Sequence, residues 1–439
     1  SVRFFGPTLR AASAEARRIL VQLASEKLQV PVDQLEVRDG VVTAKADATK
    51  RATYGELTAG KKIERRLDGQ AVLKDVKAFT VIGTSAPRRD AIEKVTGKAK
   101  YAGDLVPPGA LHARILRPPA HGATLVSADT SAAEKVSGVS VVRDKELIAV
   151  LHAHRDEATK ALALVKATWN PSPSTLDTEN IFDHLQKVAP MGRPAGAGNV
   201  ADGEKAAAQV IEQVYHKGYV AHAAMETHTA VAEVVDGKVT VWAGTQSPFG
   251  LKAQVVNALG LPAEKVRVVT PYVGGGFGGK STAAQGVEAA RLAMASGKPV
   301  RVVWGREEEF FYDTFDPAAV FKIRAGLDAA KKIVFWDNTV IGPGSRGSGV
   351  FYDIPNHATT MGGGGRGGGA VPMHPFATGP WRAPGANANV FARESHIDIM
   401  AAKAGMDPFE FRMLNLKDAR MRRVLEAVAK KFGWKIQTR

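Results

Sequence analysis

With 439 residues, 45% hydrophobic and 23% charged, the chain is longer than one typical domain of roughly 100–200 residues, so two or three domains with sizeable cores are expected. It contains no cysteine, which excludes disulfides, thiolate zinc sites, cysteine nucleophiles and iron–sulfur ligation by this chain. The formal charge of +15 suits an anionic cofactor or an acidic partner, and its basic residues lie in short scattered groups such as Lys61-Lys62 and Arg422-Arg423, a distribution that disfavours nucleic acid.

No run approaches the ~18 apolar residues of a membrane span, so any membrane anchor is expected on a partner. The first residue is Ser1 and no leader pattern follows, which reads as a processed chain or a fragment. Leu9, Ala12, Ala16, Ile19, Leu20, Leu23, Ala24 and Leu28 step by three and four, the stripe of an amphipathic helix. The alternation around Asp39-Gly40 predicts a short hairpin, and residues 43–77 read as a polar surface connector. Residues 80–170 alternate short strands with helices and predict a compact α+β unit. Residues 171–201, rich in Pro and Gly with no sustained period, read as a linker.

A second α+β region follows. Two strands are expected about Asp236-Gly237, a helix after Ser247, a strand at residues 265–273 and a helix at residues 282–296. Residues 361–370 are too glycine-rich to form a packed element and read as a loop that is either mobile or apposed to a ligand. Helices close the chain.

The chemically suggestive segment is Pro271 to Lys280 (PYVGGGFGGK), between a strand and a helix. Glycines let backbone amides approach a ligand, and successive N–H groups form an anion-binding concavity. The run lacks the spacing of a P-loop and the GxGxxG frame of a dinucleotide fold, so alone it is equally a tight strand-to-helix turn. His216, His222 and His228 recur at six-residue intervals, which fits no helical metal pair, and read as structural or surface histidines. Glu307-Glu308-Glu309 reads most simply as a solvated helix start.

Further motifs accompany the glycine run. Thr96 to Asp104 (TGKAKYAGD), Met225-Glu226-Thr227-His228 with Thr245-Gln246, the GGGFGGK run, Trp381-Arg382-Ala383-Pro384-Gly385, and Glu394, Asp398, Gly405 to Pro408, Arg412 and Asn415-Leu416 occur in this order. Over residues 80–439 this series resembles the molybdopterin-binding subunit of the xanthine dehydrogenase/aldehyde oxidase superfamily, the molybdenum hydroxylases. The first 28 residues resemble a segment of the second cofactor domain that precedes the hammerhead in the permuted isoquinoline oxidoreductase/nicotinate dehydrogenase-like branch.

The resemblance implies an α+β fold with a hammerhead domain, a molybdopterin-binding domain and a partial second cofactor domain. The corresponding boundaries are 1–79 for a permuted N-terminal piece with its connector, 80–170 for the hammerhead, 171–201 for the linker, 202–418 for the first cofactor domain and 419–439 for the start of the second. It implies a molybdenum hydroxylase that oxidises an N-heteroaromatic compound or an aldehyde with water as oxygen source. The rivals are a dedicated aldehyde oxidoreductase and a non-catalytic scaffold subunit. Gly275, Gly276, Phe277, Gly278, Gln246, Arg382 and Ala383 match cofactor-binding positions, and Trp381 falls where many members place an aromatic beside the substrate; Arg346 reads equally as a substrate-pocket arginine or as one that stabilises its loop.

The metal would be held through the pterin, with no protein ligand, in a molybdopterin cytosine dinucleotide. Two departures disfavour a purine site: Val220 stands where many members have a glutamine, and Ser281 where purine oxidisers have glutamate. The family's catalytic glutamate belongs to a segment matched nowhere in this sequence, so it is expected on another chain or fragment. Expected partners are an iron–sulfur subunit with 2Fe-2S clusters, chains completing the second cofactor domain, and the c-type cytochrome common in this branch. That branch suggests a periplasmic or partner-mediated membrane location, with the cytoplasm as the alternative.

Overall fold

The computed structural model describes residues 2–60, 62–64, 69, 71–172, 174–363 and 373–436, which divide into two compact units, Ser1–Ile92 and Glu93–Arg439. Most of the glycine-rich segment read at 361–370 therefore lies outside the described residues.

In the first unit the expected stripe forms the helix Val2–Leu28. Its Leu20, Leu23 and Ala24 pack on Leu35, Val42 and Ala52 of a three-stranded antiparallel sheet and on Leu57 of the short helix that follows it. The predicted hairpin turns at Asp39 and Gly40, both at positive φ (48° and 78°), as a tight Asp-Gly turn demands. The expected connector at 43–77 is partly ordered instead: Asp47–Thr53 supplies the third strand, and a capping box between Thr53 and Glu56 starts a short helix at Tyr54.

The second unit is mixed α and β, as expected, and contains two large sheets. A seven-stranded sheet runs in the order Val266–Val269, Lys238–Ala243, Thr229–Val235, Val300–Val303, Leu111–Ile115, Leu147–His152, Ser140–Asp144. Residues from the 80–170 region thus share a sheet with those of the glycine-loop region. The join is the parallel pairing of Val300 with Leu111. Helices Pro248–Leu259 and Ala284–Ser296 cover it, burying Leu251, Val255, Ala289, Leu292 and Ala293 against Val241, Val300 and Val302.

The five-stranded sheet runs Gln209–Lys217, Ala319–Leu327, Ile333–Ile341, Asn356–Gly362, Ala195–Ala197. Phe321 and Trp336 on its inner face pack against Ile397 and Met400 of helix Ala386–Lys403 and Phe411 of helix Pro408–Asn415. Residues 171–201 differ from the linker expected there. They hold the helix Ile181–Val188, whose Ile181 and Leu185 pack on Ala318, Val320 and Ile341, together with the edge strand Ala195–Ala197. Their proline and glycine content hid a single buried turn of apolar residues.

The Asp407-Pro408 pair starts its helix by geometry. The Asp407 carboxylate, 2% exposed, accepts from the amides of Phe409 and Glu410 and from the Trp434 indole, while Pro408 needs no N–H in the first turn. Asp407→Ala is expected to lower stability by about 1–2 kcal/mol in urea unfolding, the cost of losing such a cap. An unchanged midpoint would show that the cap contributes nothing.

Candidate cofactor site

The site stands at one end of the seven-stranded sheet. Lys238–Ala243 and Val266–Val269 run parallel, so both chains leave the sheet at the same edge. The first leads to Thr245 and Gln246, the second to the glycine loop. Crevices outside the carboxyl ends of parallel strands are common ligand sites because the loops there diverge.

Glu226 anchors the start of the glycine loop. Its Oε2 accepts from the Gly274 amide (2.8 Å) and pairs with Lys280 Nζ (2.6 Å), a side chain with no solvent exposure. The Gln246 amide donates to the Lys280 carbonyl (2.8 Å), and Gln246 Oε1 accepts from the Gly278 amide (2.9 Å). The loop is thus fastened at both ends and at Gly278. Its glycines are required by this fastening: a Cβ at Gly276 would stand 2.5 Å from Gln246 Oε1, and one at Gly278, where φ is +118°, would stand 1.6 Å from the Pro380 carbonyl oxygen.

Between the fastening points, the backbone N–H groups of Gly275, Gly276 and Phe277 have no hydrogen-bond partner among the described residues. The same is true of Trp381, Arg382 and Ala383 in the second loop. Phe277 (φ 53°) and Ala383 (φ 63°) both adopt the left-handed conformation that turns successive amides to one side. The two rows meet where Gly278 packs on Pro380, and the Arg382 guanidinium lies 5.0 Å from the centre of the Phe277 ring.

The structure therefore brings together Gly275, Gly276, Phe277, Gly278, Gln246, Trp381, Arg382 and Ala383. Arg346 stands apart from the glycine loop but beside the second loop. It is exposed, its carbonyl accepts from Asn389 Nδ2 (3.0 Å), and the Pro343–Arg346 backbone lies under Gly385.

Sequence reasoning missed the layer beneath the loops. His222 Nδ1 lies 2.8 Å from Asp313 Oδ2 and Nε2 lies 2.9 Å from the Pro380 carbonyl. Burial opposes a charge on this ring, yet hydrogen bonding to Asp313 and Pro380 and the Asp313 charge outweigh it, so its pKa is raised above the usual imidazole value. His228, stacked on Trp304, places Nδ1 3.0 Å from Glu309 Oε2, which also accepts its backbone amide.

His228, Glu309 and Asp313 each bring one donor atom within 4.8 Å of the others. With Glu309 engaged by His228 and Asp313 by His222, the arrangement is a hydrogen-bonded chain and not a ligand cage. The acidic run at 307–309 is accordingly not a solvated helix start. Only Glu307 faces solvent, Glu308 pairs with Arg114 and Arg117, and Glu309 is buried. His216 is exposed and stacks on Phe182, a surface histidine. No local pattern around His222 signals this layer, since its partners Asp313 and Pro380 lie far along the chain.

Two rows of unpaired amides beside an arginine are donors of the kind that anionic ligands use. Residues 183–416 match the molybdopterin cofactor-binding domain, and the chain belongs to that family. It is 29% identical over 467 residues to a nicotinate dehydrogenase subunit from Pseudomonas putida, covering 98% of this chain and 38% of that protein. It is 27% identical to the beta subunit of isoquinoline 1-oxidoreductase from Brevundimonas diminuta, covering 97% of this chain and 62% of that one.

The chain thus spans between about two fifths and three fifths of these relatives. In fold it is similar to quinoline 2-oxidoreductase from Pseudomonas putida 86 (TM-score 0.67, 22% identity, 80% of this chain and 54% of that one). The aldehyde oxidoreductase from Desulfovibrio gigas also gives 0.67, at 20% identity, over 79% of this chain and 46% of that one. No described helix is long and apolar enough to cross a membrane.

Proposed function

We propose that the chain is the cofactor-holding part of a multi-subunit molybdenum hydroxylase acting on an N-heteroaromatic compound or an aldehyde. The observation that carries this reading is the pair of open amide rows, Gly275–Phe277 and Trp381–Ala383, donors of the kind that the phosphates of such a cofactor need. We take the cofactor to be the cytosine dinucleotide form, whose phosphates both rows would hold. When bound, it supplies oxygen transfer from water to a carbon beside a heteroatom, passing electrons onward.

The chain's own share is to bind and orient. The Gly275–Phe277 amides and Gln246 hold one part, while Arg382 and Ala383 hold the other. Phe277 and the half-buried Trp381 offer flat apolar surfaces for a planar substrate, with Arg346 at the margin. Val220, bridged through its backbone to Asp316, presents no side-chain donor there, in keeping with a substrate other than a purine. The general base would come from a carboxylate on another polypeptide or a further segment.

Electrons would leave through 2Fe-2S clusters on a partner subunit and then a c-type cytochrome, in a complex placed in the periplasm or held at a membrane by its partners. Residues 80–170 would serve as the hammerhead, 202–418 as the first cofactor domain, and 1–79 with 419–439 as pieces of a second that other chains complete.

Molybdenum analysis and acid release of the cytidine nucleotide from the purified complex test the reading. About one of each per chain is expected, and molybdenum near zero would favour the scaffold reading. Comparing turnover of nicotinate or isoquinoline with that of an aromatic aldehyde separates the substrate classes. Arg382 is exposed, so Arg382→Ala is expected to leave the melting temperature within about 1 °C while weakening cofactor retention roughly tenfold, the loss of one charge-assisted contact. Unchanged retention on gel filtration would remove Arg382 from the site.

A further inference from the structure

We propose that His222 is a positioning residue held as an imidazolium, and that its second proton keeps Pro380 seated on Gly278 and so holds the two cofactor loops together. The inference rests on the cofactor-binding reading above. Both ring nitrogens face acceptors: the Asp313 carboxylate at 2.8 Å and the Pro380 carbonyl at 2.9 Å. A neutral imidazole has one N–H and can satisfy only one of them, whereas an imidazolium satisfies both. Asp313 cannot supply the missing proton without ceasing to be a charged partner, and its other oxygen already accepts from the Thr314 amide (2.7 Å).

The ring is also pressed directly on the glycine loop. Cβ atoms built at Gly278 and Gly279 would stand 3.2 Å from His222 Nε2 and 2.9 Å from Nδ1. The side chain is 1% exposed, so water does not replace a lost bond. One ring thus lies against Gly278 and Gly279 of the glycine loop, meets the second loop through Nε2, and meets the end of helix Arg306–Tyr312 through Asp313.

The charged and titratable surroundings agree. Asp313 is the charged group bonded to the ring. Behind it, His228 Nε2 lies 3.8 Å from Asp313 Oδ1, with His228 also bound to Glu309. Lys280 of the glycine loop is already paired with Glu226, and Arg382 of the second loop lies over Phe277. The folded-state pKa is raised, so the clamp is complete below the ordinary imidazole value of 6.5 and is lost as pH rises through the folded value.

The test uses the full-length protein in its native complex, held between about pH 6 and about pH 10. Retained pterin is read by fluorescence after oxidation, and retained molybdenum by mass spectrometry. The wild-type release rate is expected to rise about tenfold with pH along a one-proton titration, the fold-change for one lost charge-assisted hydrogen bond. His222→Gln, which cannot titrate, is expected to release cofactor at one rate across this pH range. Asp313→Asn is expected to move the wild-type midpoint to lower pH.

A flat wild-type profile, or a His222→Gln profile that keeps the wild-type midpoint, overturns the proposal. If His222→Gln does not fold, the wild-type profile and the Asp313→Asn shift decide. A complex without pterin or molybdenum at any pH sinks the cofactor reading and this inference with it, whereas a loaded complex with pH-independent release sinks this inference alone.

Discussion

Gly278→Ala is expected to empty the cofactor site while leaving both sheets folded. At φ +118° an alanine is strained, and its Cβ would stand 1.6 Å from the Pro380 carbonyl oxygen, a backbone atom fixed from below by His222. The loops must part, which costs at least about 3 kcal/mol at the site and breaks the hold of Gln246 on the Gly278 amide. Molybdenum content near zero, with a far-ultraviolet circular dichroism spectrum like the wild type, is the expected result. A variant carrying wild-type molybdenum would show that contact between the loops is not needed for binding.

The second large effect is expected at Lys280. Its ammonium has no solvent exposure and, among the described residues, a single carboxylate partner, Glu226, which also holds the Gly274 amide. Lys280→Met leaves the mostly buried Glu226 carboxylate, 14% exposed, without its cation, and breaking a buried pair from one side costs up to about 3–5 kcal/mol. Chemical unfolding of the variant should show a loss of this size. The double variant Lys280→Met/Glu226→Gln should recover part of it, because no unpaired charge remains. A single variant as stable as the wild type would mean that solvent reaches Glu226 after all.

Much of the architecture was legible because it rests on local pattern. The Asp39-Gly40 and Asp236-Gly237 turns, the stripe from Leu9 to Leu28 and the helices flanking the glycine loop follow from spacing and turn chemistry alone. The glycine loop itself was visible as a feature but ambiguous in meaning. Its glycines are set by contacts with Gln246 and Pro380 that no local window contains.

The layer below was hidden for the same reason. His222, Asp313 and Pro380 lie far apart in sequence, and none has a spacing that announces a partner. Glu309 looked solvated because it sits in a run of three glutamates, although a helix turns consecutive residues to different sides and sends this one inward. The helix at Ile181–Val188 was missed since its eight residues show too few turns to establish a period beside the prolines around it.

The parallel join between Leu111–Ile115 and Val300–Val303 bears on how the chain is made. During synthesis, strands Leu111–Ile115, Ser140–Asp144 and Leu147–His152 leave the ribosome long before their neighbour, and they must wait with one flank of backbone donors and acceptors open. Until Val300–Val303 is translated and docks, that flank can pair with any passing strand, including that of a sister chain. Distant pairings of this kind close slowly. A nascent chain stalled before Val300 is therefore the species most exposed to aggregation, and chaperone demand during expression should concentrate at that stage.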